Sequence, residues 1–184
     1  MNRVVVIEGP SGAGKDSTIA GLIKKYPNIY KKPANVTTRN MRAGEKQGDP
    51  YFFVDEAEFK KMLDCGEVFE FTMRHGTYRG MSKALINQVI QEGKIPLINC
   101  DLSGVGALKK LGVYDMITFF LTATKEEIKN RLTSRGDSQY DIVKRLNDYE
   151  NHMKFESFFD NSIPNINLDE TVEKVHRIIQ KQRR

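Results

Sequence analysis

The feature that most constrains the fold is the glycine-rich stretch of residues 9–18, which reads Gly-Pro-Ser-Gly-Ala-Gly-Lys-Asp-Ser-Thr. The short apolar and β-branched run that precedes it, residues 4–7, is typical of a buried strand, and apolar residues at helical spacing follow it over residues 19–25. A strand, a glycine-rich turn, a lysine and a helix in this order form the context that a phosphate-binding loop requires. The N–H groups of the loop and the helix N-terminus can then converge on a phosphate.

The glycines and the lysine of this loop have separate tasks. The glycines allow backbone conformations that other residues rarely adopt, and Lys15 is expected to reach the phosphate that is transferred. The alternative is a turn that is rich in glycine without binding phosphate. We expect a bound nucleotide to contact the whole loop, namely Gly9, Pro10, Ser11, Gly12, Ala13, Gly14, Lys15, Asp16 and Ser17.

Length and composition indicate one compact domain with an ordinary soluble composition, since 39% of the 184 residues are hydrophobic and 29% are charged. No apolar run is long enough to cross a membrane, and a strand at the very start leaves no room for a signal peptide. The two cysteines, Cys65 and Cys100, are widely separated, which favours reduced thiols and a cytoplasmic location. A net charge of +5 suits nucleic acid or a pocket that holds several phosphates; we expect the pocket, with no nucleic acid and no membrane partner.

Apolar strands and amphipathic helices alternate along most of the chain, which predicts an α/β fold with a parallel sheet covered by helices on both faces. The predicted helices include residues 105–111 and a longer one over residues 140–155. Short β-like pieces interrupt the alternation between residues 31 and 79 and predict an inserted lobe. We expect a single domain over residues 1–184, with a core of residues 1–33, 83–133 and 151–184, a small lobe at 34–82 and a helical lid at 134–150.

A second informative stretch, residues 36–51, reads Val-Thr-Thr-Arg-Asn-Met-Arg-Ala-Gly-Glu-Lys-Gln-Gly-Asp-Pro-Tyr. The guanidiniums of Arg39 and Arg42 and the phenol of Tyr51 can grip one phosphate dianion through charge-assisted hydrogen bonds. Taken alone, this stretch is better explained as a solvated basic loop.

Together, the two stretches resemble the guanylate kinase family. That family reads Gly-Pro-Ser-Gly-x-Gly-Lys, then Thr-Thr-Arg-x-x-Arg-x-Gly-Glu-x-x-Gly-x-x-Tyr, then a glutamate and a Gly-x-Tyr-Tyr-Gly turn, and the resemblance covers essentially the whole chain. It implies a three-layer P-loop NTPase-type fold in which the lobe binds the acceptor. It also implies that ATP with Mg2+ donates its γ-phosphate to GMP, dGMP or a close analogue.

The resemblance also assigns roles to residues. Arg39, Arg42 and Tyr51 would hold the acceptor monophosphate, while Glu70 and Asp101 would read the base. Guanine presents N1–H and N2–H donors that two carboxylates can accept, whereas adenine would leave those carboxylates poorly paired. Charge on the transferred phosphoryl group would be neutralised by three lid and donor-side arginines, Arg131, Arg135 and Arg145.

This sequence departs from the family pattern at five places. Asp16 replaces the usual Ser or Thr, and Asn99 replaces an Asp, so that an acid has moved from one side of the expected Mg2+ site to the other. We expect Asp16 to bind Mg2+, with Ser17 as the second candidate ligand; the alternative is that Asp16 caps the helix and Ser17 alone serves the metal. The remaining departures fall in the predicted acceptor site, where the substrate-binding positions include Asn35, Arg79 and Met81.

Two other functions stay open at this point. The Gly-Lys-Asp-Ser loop and Asn99 resemble the ribose bisphosphokinase family, which makes an atypical nucleotide kinase or a ribose-phosphate kinase the first alternative. The second is a guanylate-kinase-like binding module without catalysis, although such modules tend to lose the loop lysine and the lid arginines that this chain retains. The expected oligomeric state is a monomer or a homodimer.

Overall fold

The computed structural model describes residues 2–182, except for the side chain of Arg74. Met1, Arg183 and Arg184, at the ends of the expected domain, lie outside the described residues. The strands, β1 to β10 in chain order, are Arg3–Glu8, Tyr30–Lys31, Asn35–Thr37, Lys46–Gln47, Pro50–Phe53, Val68–Arg74, Thr77–Ser82, Ile95–Ile98, Asp115–Thr122 and Asn161–Pro164. The helices, α1 to α8, are Lys15–Lys25, Glu56–Asp64, Lys83–Gln91, Leu102–Leu111, Lys125–Arg135, Gln139–Asn147, Tyr149–Met153 and Leu168–Lys181.

The strands form two five-stranded sheets. The first has the order β10-β9-β1-β8-β2 and the second the order β4-β5-β3-β7-β6. The chain divides into two compact units: the first comprises the chain up to Val4 together with Asn28–Asp115, and the second comprises Val5–Pro27 and the chain from Met116 onward. Strands β1 and β9 each contribute residues to both units.

In the first unit, α2 covers one face of the second sheet. Its Phe59 is fully buried against Val36 and Val68. Gly80 of β7 lies in the same layer, where an added Cβ would come within 2.6 Å of Val68 Cγ1. This face of the sheet is therefore packed too closely for a side chain at that position.

The hairpin of β6 and β7 fixes which residues occupy the opposite face. Its turn is formed by His75 and Gly76, with φ angles of 51° and 72°, as a two-residue type I′ turn requires. The register shifts between Val68 and Glu70, where one extra residue is inserted in β6. Residues two apart in a regular strand share a face, but this bulge allows Val68 to pack under α2 while Glu70 lies on the other face, opposite Met81.

In the second unit, β9 and β10 pair in parallel, from Asn161 beside Phe119 to Pro164 beside Thr122. Helix α5 begins at a capping box, in which Thr124 accepts from the N–H of Glu127 and the Glu127 side chain accepts from Thr124. The helices α5 and α6 share a buried cluster formed by Ala123, Ile128, Leu132 and Ile142.

The predicted α/β fold, with a parallel sheet and flanking helices, is confirmed. The predicted bounds of two helices were wrong. The helix expected over residues 105–111 begins at Leu102, because the Asp101 side chain caps it there. The helix expected over residues 140–155 ends at Asn147 and restarts at Tyr149, in line with the low helix propensity of Asn147 and Asp148. The division into core, lobe and lid stays a prediction.

Two observations concern membranes and thiols. Within residues 2–182, no helix is both long and apolar enough to span a membrane. Cys65 is exposed, Cys100 is partly buried, and they form no disulfide.

Candidate active site

The glycine-rich loop passes very close to its neighbours in the second unit. Gly9, Gly12 and Gly14 have φ angles of 148°, 89° and 93°, which side chains disfavour. An added Cβ on Gly9 would lie 2.2 Å from the Leu121 carbonyl oxygen, and one on Gly14 would lie 2.2 Å from Asn165 Nδ2. Both positions therefore require glycine for space as well as for conformation.

A cavity of about 360 Å³ opens above this loop. It brings together most of the loop residues that the sequence identified and all four predicted cations. The lining residues are Ser11, Gly12, Gly14, Lys15, Asp16, Ser17, Arg131, Leu132, Arg135 and Arg145. The remaining predicted loop residues, Gly9, Pro10 and Ala13, are buried and are not among the residues that line the cavity.

Lys15 is held inside the loop. Its ammonium donates to the carbonyl oxygens of Gly9 and Pro10, the latter at 3.2 Å. Burial lowers the pKa of Lys15, while the negative charges of Glu8 and Asp16 act in the opposite direction. The side chain is thus a desolvated cation at the cavity, suited to contact a phosphate.

The arginines are anchored by oxygens of the same unit. Arg131 donates to the carbonyl oxygens of Ala13, at 3.4 Å, and of Asn165. Arg145 donates to the hydroxyl of Ser11 in the loop. Each contact turns a guanidinium toward the loop, so the expected donor-side cluster forms within one unit.

Asn165 is a site residue that the sequence reasoning missed. Its Nδ2 donates to the Ala13 carbonyl at 2.7 Å, its backbone N–H donates to the Thr122 carbonyl at 2.8 Å, and its own carbonyl accepts from Arg131. Its Oδ1 is buried and has no hydrogen-bond partner among residues 2–182. Asn165 therefore braces the loop and Arg131 together, although no local sequence pattern marks it.

Asp16 lies in the first turn of α1 and is exposed at the cavity. The N-cap position is occupied by Gly14, and no side chain makes a capping hydrogen bond there. Asp16 is therefore not the N-cap residue of the helix. Its charge opposes the lowering of the Lys15 pKa that burial causes. The pKa of Arg135 is raised mainly by its hydrogen bond with Asp137, and the charge of Asp16 adds to this.

The first unit holds a second cavity, of about 160 Å³, on the face of the second sheet that α2 leaves open. Pairing across the sheet gathers several of the predicted acceptor residues there, but not Arg39, Arg42 or Tyr51. Thr72 lies opposite Arg79, Glu70 lies opposite Met81, and Asn35 lies beside Tyr51. The lining residues are Asn35, Glu70, Thr72, Arg79, Gly80, Met81, Asn99, Cys100 and Asp101.

The two carboxylates of this cavity influence each other. Burial raises the pKa of Glu70, and the charge of Asp101 raises it further. Asp101 also caps α4, because its Oδ1 accepts from the N–H of Gly104 at 3.1 Å and from the hydroxyl of Ser103 at 2.7 Å. The cap fixes the position of this carboxylate at the start of the helix.

Met81 forms an apolar part of the cavity wall beside the carboxylates. Its side chain is 6% exposed. An added Cβ on Gly104 would lie 3.0 Å from both Met81 Cε and Cys100 Sγ, so these two sulfur-bearing side chains converge on the first turn of α4.

The basic stretch forms a separate cluster next to Tyr51, and it does not line the cavity of Glu70 and Asp101. Arg39 makes a bidentate ion pair with Glu45, with N–O distances of 3.0 and 2.8 Å. This pairing lowers the pKa of Glu45, which also accepts from the Arg42 backbone N–H at 2.8 Å. Glu45 was not among the predicted site residues, although it belongs to the second sequence motif.

Tyr51 is flanked by two guanidiniums. The Cζ atoms of Arg39 and Arg79 lie 5.4 and 5.1 Å from the centre of its ring, within the range of a cation–π contact. The backbone of Arg79 pairs with the neighbouring strands, but within residues 2–182 its guanidinium makes no hydrogen bond or ion pair, so the guanidinium donors are available to a ligand. The structure therefore brings Arg39, Tyr51 and Arg79 together, while Arg42 is exposed at the edge of the cluster.

Comparison with known proteins shows the family to which this chain belongs. The family model described as guanylate kinase matches residues 1–182. The guanylate kinase of Prochlorococcus marinus subsp. pastoris is 32% identical over 181 residues, 98% of each chain. That of Caldanaerobacter subterraneus subsp. tengcongensis is 33% identical over 177 residues, 96% of this chain and 85% of the relative.

A solved structure shares the fold. The crystal structure of guanylate kinase from Anaplasma phagocytophilum aligns with a TM-score of 0.66 and 23% identity, covering 98% of this chain and 85% of that one. This chain belongs to the guanylate kinase family of ATP-dependent phosphotransferases.

The brace at Asn165 can be tested by one isosteric change. Asn165→Asp places an oxygen instead of a donor against the Ala13 carbonyl, and we expect it to lower the free energy of unfolding by about 1–3 kcal/mol. Asn167→Asp is the matched control, because Asn167 Oδ1 only caps α8 and Asp caps as well, so we expect a change within about 0.5 kcal/mol. Urea unfolding of both variants at pH 7 measures the difference, and equal stabilities would contradict the brace.

Proposed function

We propose that this chain transfers the γ-phosphate of ATP to GMP or dGMP. The observation that carries the proposal is the cavity of the first unit, which is lined by two carboxylates, Glu70 and Asp101. They lie close enough that the charge of Asp101 adds to burial in raising the pKa of Glu70. The N1–H and N2–H groups of guanine are donors that would satisfy both carboxylates at once. Adenine offers an acceptor at N1 and no N2 amine, which would leave them unpaired at a cost of about 1–3 kcal/mol.

The acceptor phosphate would bind to the cluster around Tyr51. Three guanidiniums, those of Arg39, Arg42 and Arg79, together with the single carboxylate of Glu45, give this cluster the charge to hold a dianion. Arg79 supports the proposal most directly, because its donors are uncommitted. Asn35 can donate its amide to the O6 or N7 atom of the base, a role for which Met81 has no polar group.

The donor phosphates would bind in the cavity of the second unit. Loop N–H groups and the N-terminus of α1 would face the bound phosphates there. The charge of the transferred phosphoryl group would be neutralised by Lys15, Arg131, Arg135 and Arg145. A phosphate oxygen of the acceptor is already an ionised nucleophile, so no general base is required. Catalysis then consists of alignment, neutralisation of charge and exclusion of water.

The residues at the loop fit a magnesium ion. Asp16 and Ser17 present a carboxylate and a hydroxyl, both hard oxygen ligands, at the cavity, and Mg2+ needs few protein ligands because it keeps several waters. When held by Asp16 and Ser17, the ion would neutralise part of the negative charge of the phosphates. Asp16 would otherwise place a bare carboxylate beside a triphosphate.

The alternatives have specific support and opposition. Asp16 and Asn99 favour a ribose-phosphate kinase or an atypical nucleotide kinase, whereas the paired carboxylates of Glu70 and Asp101 favour a guanine acceptor. The cationic cavity with Lys15 opposes a binding module without catalysis. The cytoplasmic location, a monomeric or homodimeric state and the absence of nucleic-acid and membrane partners remain parts of the proposal.

The direct test of the function is an acceptor screen. We expect GMP and dGMP to be the best acceptors among the natural nucleoside monophosphates and ribose phosphates, and Lys15→Met to lower kcat roughly 10²–10³-fold because it removes a charge at the transferred phosphate. Lys24→Met, on the exposed side of the same helix, is the matched control and should retain activity. A tenfold preference for AMP, CMP, UMP or a ribose phosphate would overturn the guanine assignment, and full turnover of a folded Lys15→Met variant would overturn the kinase assignment.

The raised pKa of Glu70 gives a prediction on pH. A raised carboxyl pKa means that Glu70 takes up a proton, and stops accepting from guanine, at a higher pH than an ordinary glutamate with a pKa of about 4.3. We therefore expect kcat/KM for GMP to fall toward acid pH in two components, one from Glu70 and one from the acceptor phosphate, whose second pKa is about 6.

Glu70→Gln should abolish the decrease in kcat/KM that comes from protonation of Glu70 and should leave the decrease that comes from protonation of the acceptor phosphate. At pH 7.5 it should also cost about 1–3 kcal/mol of transition-state binding for GMP, with no comparable loss for AMP. Asp64→Asn, an exposed change in the same unit, is the control. An unchanged pH profile in Glu70→Gln would show that this carboxylate does not read the base.

The magnesium assignment is tested at two neighbouring residues. If Asp16 coordinates the ion, Asp16→Asn should raise the Mg2+ concentration for half-maximal activity about tenfold, whereas Ser17→Ala should raise it less. The measurement is a magnesium titration of turnover at saturating ATP and GMP. The reverse ranking of the two variants would assign the metal to Ser17 alone.

A further inference from the structure

Asp137 lies at the junction of two helices in the second unit. Arg135 is the last residue of α5, Gly136 ends that helix with a φ of 85°, and Ser138 caps α6. The Asp137 side chain is 13% exposed, although both of its neighbours in the chain are exposed. This short connection therefore places one shielded carboxylate between the helices that carry two of the cavity arginines.

The carboxylate contacts both of these arginines. Its two oxygens accept from Nε and Nη2 of Arg135, at 2.7 and 2.5 Å, in a bidentate pair. The Nε atom of Arg145 lies 3.6 Å from Asp137 Oδ2, while another nitrogen of Arg145 donates to Ser11 of the loop. Pairing with Arg135 first, and the charge of Arg145 in addition, lowers the pKa of Asp137.

The two guanidiniums need such a partner. Arg135 and Arg145 line the cavity together with Lys15 and Arg131, so four cations surround about 360 Å³ of space. Their side chains are still 56% and 39% exposed. Like charges at this density repel one another, and long arginine side chains lose rotamer freedom when they are fixed. Asp137 offsets both effects without being one of the residues that line the cavity.

We propose that Asp137 is a positioning residue for phosphoryl transfer, which holds Arg135 and Arg145 side by side at the phosphate cavity before the donor binds. The inference rests on the proposed function, because it needs phosphates in this cavity. Asp137 does not line the cavity and would not contact a bound phosphate. It acts through the orientation of the two arginines, and its negative charge works against the binding of an anion.

These opposite effects give a signature that a purely structural contact would not produce. Asp137→Asn keeps the size of the side chain but removes the charge. The arginines then lose their alignment, so we expect kcat to fall about 10- to 100-fold, as for a misplaced catalytic group. Because a negative charge has left the neighbourhood of the cavity, the dissociation constant of ATP should not rise.

The experiment compares Asp137→Asn, Asp137→Glu and a matched control. Glu126→Gln removes one negative charge from an exposed position in the first turn of α5 and should leave kcat and the dissociation constant of ATP unchanged, with at most a small decrease in melting temperature. Asp137→Glu retains the carboxylate and should recover most of kcat. The readouts are kcat with ATP and GMP, the dissociation constant of ATP from calorimetry, and the melting temperature of each variant.

Two results would overturn the inference. One is an unchanged kcat in a folded Asp137→Asn variant, which would reduce the cluster to a surface ion pair. The other is an ATP dissociation constant that rises in proportion to the loss of kcat, which would make Asp137 a determinant of binding alone. Turnover of the unaltered chain with GMP tests the proposed function separately. Without such turnover, a higher dissociation constant of ATP in Asp137→Asn would still overturn the inference.

Discussion

The close approach of the glycine-rich loop to its surroundings fixes the position of the donor-side cations. At Gly9 and Gly14 there is no room for a side chain, since a Cβ would come within 2.2 Å of a neighbouring atom. In that confined position, the carbonyl oxygens of Gly9, Pro10 and Ala13 all accept hydrogen bonds from side chains of the same unit. The negative ends of the loop peptides are therefore covered by Lys15 and Asn165, an arrangement that favours an anion on the N–H side of the loop.

In each cluster of arginines, a carboxylate forms an ion pair with a guanidinium. Glu45 pairs with Arg39 in the first unit, and Asp137 pairs with Arg135 and lies near Arg145 in the second. In both places the acid fixes a long, flexible side chain and leaves a net positive charge for phosphate. Surface ion pairs contribute little to stability, typically about 0–1 kcal/mol. Their value here is in the geometry of the guanidiniums.

The parts of the site that are local in sequence could be predicted. The loop, the arginines of the second motif and the capping box of α5 are each encoded within a few residues, so spacing and residue type were sufficient. Asn165 could not be found in this way, because it is 152 residues away from its partner Ala13. The start of α4 was missed since Asp101, identified for its carboxylate, also acts as the helix cap.

The β6–β7 hairpin limits how the cavity of the first unit can change over evolutionary time. Its two-residue turn and its bulge set the alternation that puts Glu70, Arg79 and Met81 on one face. Inserting or deleting a single residue in this hairpin would shift one strand against the other, so that either Glu70 or the pair Arg79 and Met81 would turn to the side of α2. A substitution, in contrast, leaves the register and the face of each residue unchanged. Divergence of this cavity should therefore proceed through exchanged side chains at constant hairpin length, and alignments of related sequences should show variation without gaps across residues 68–82.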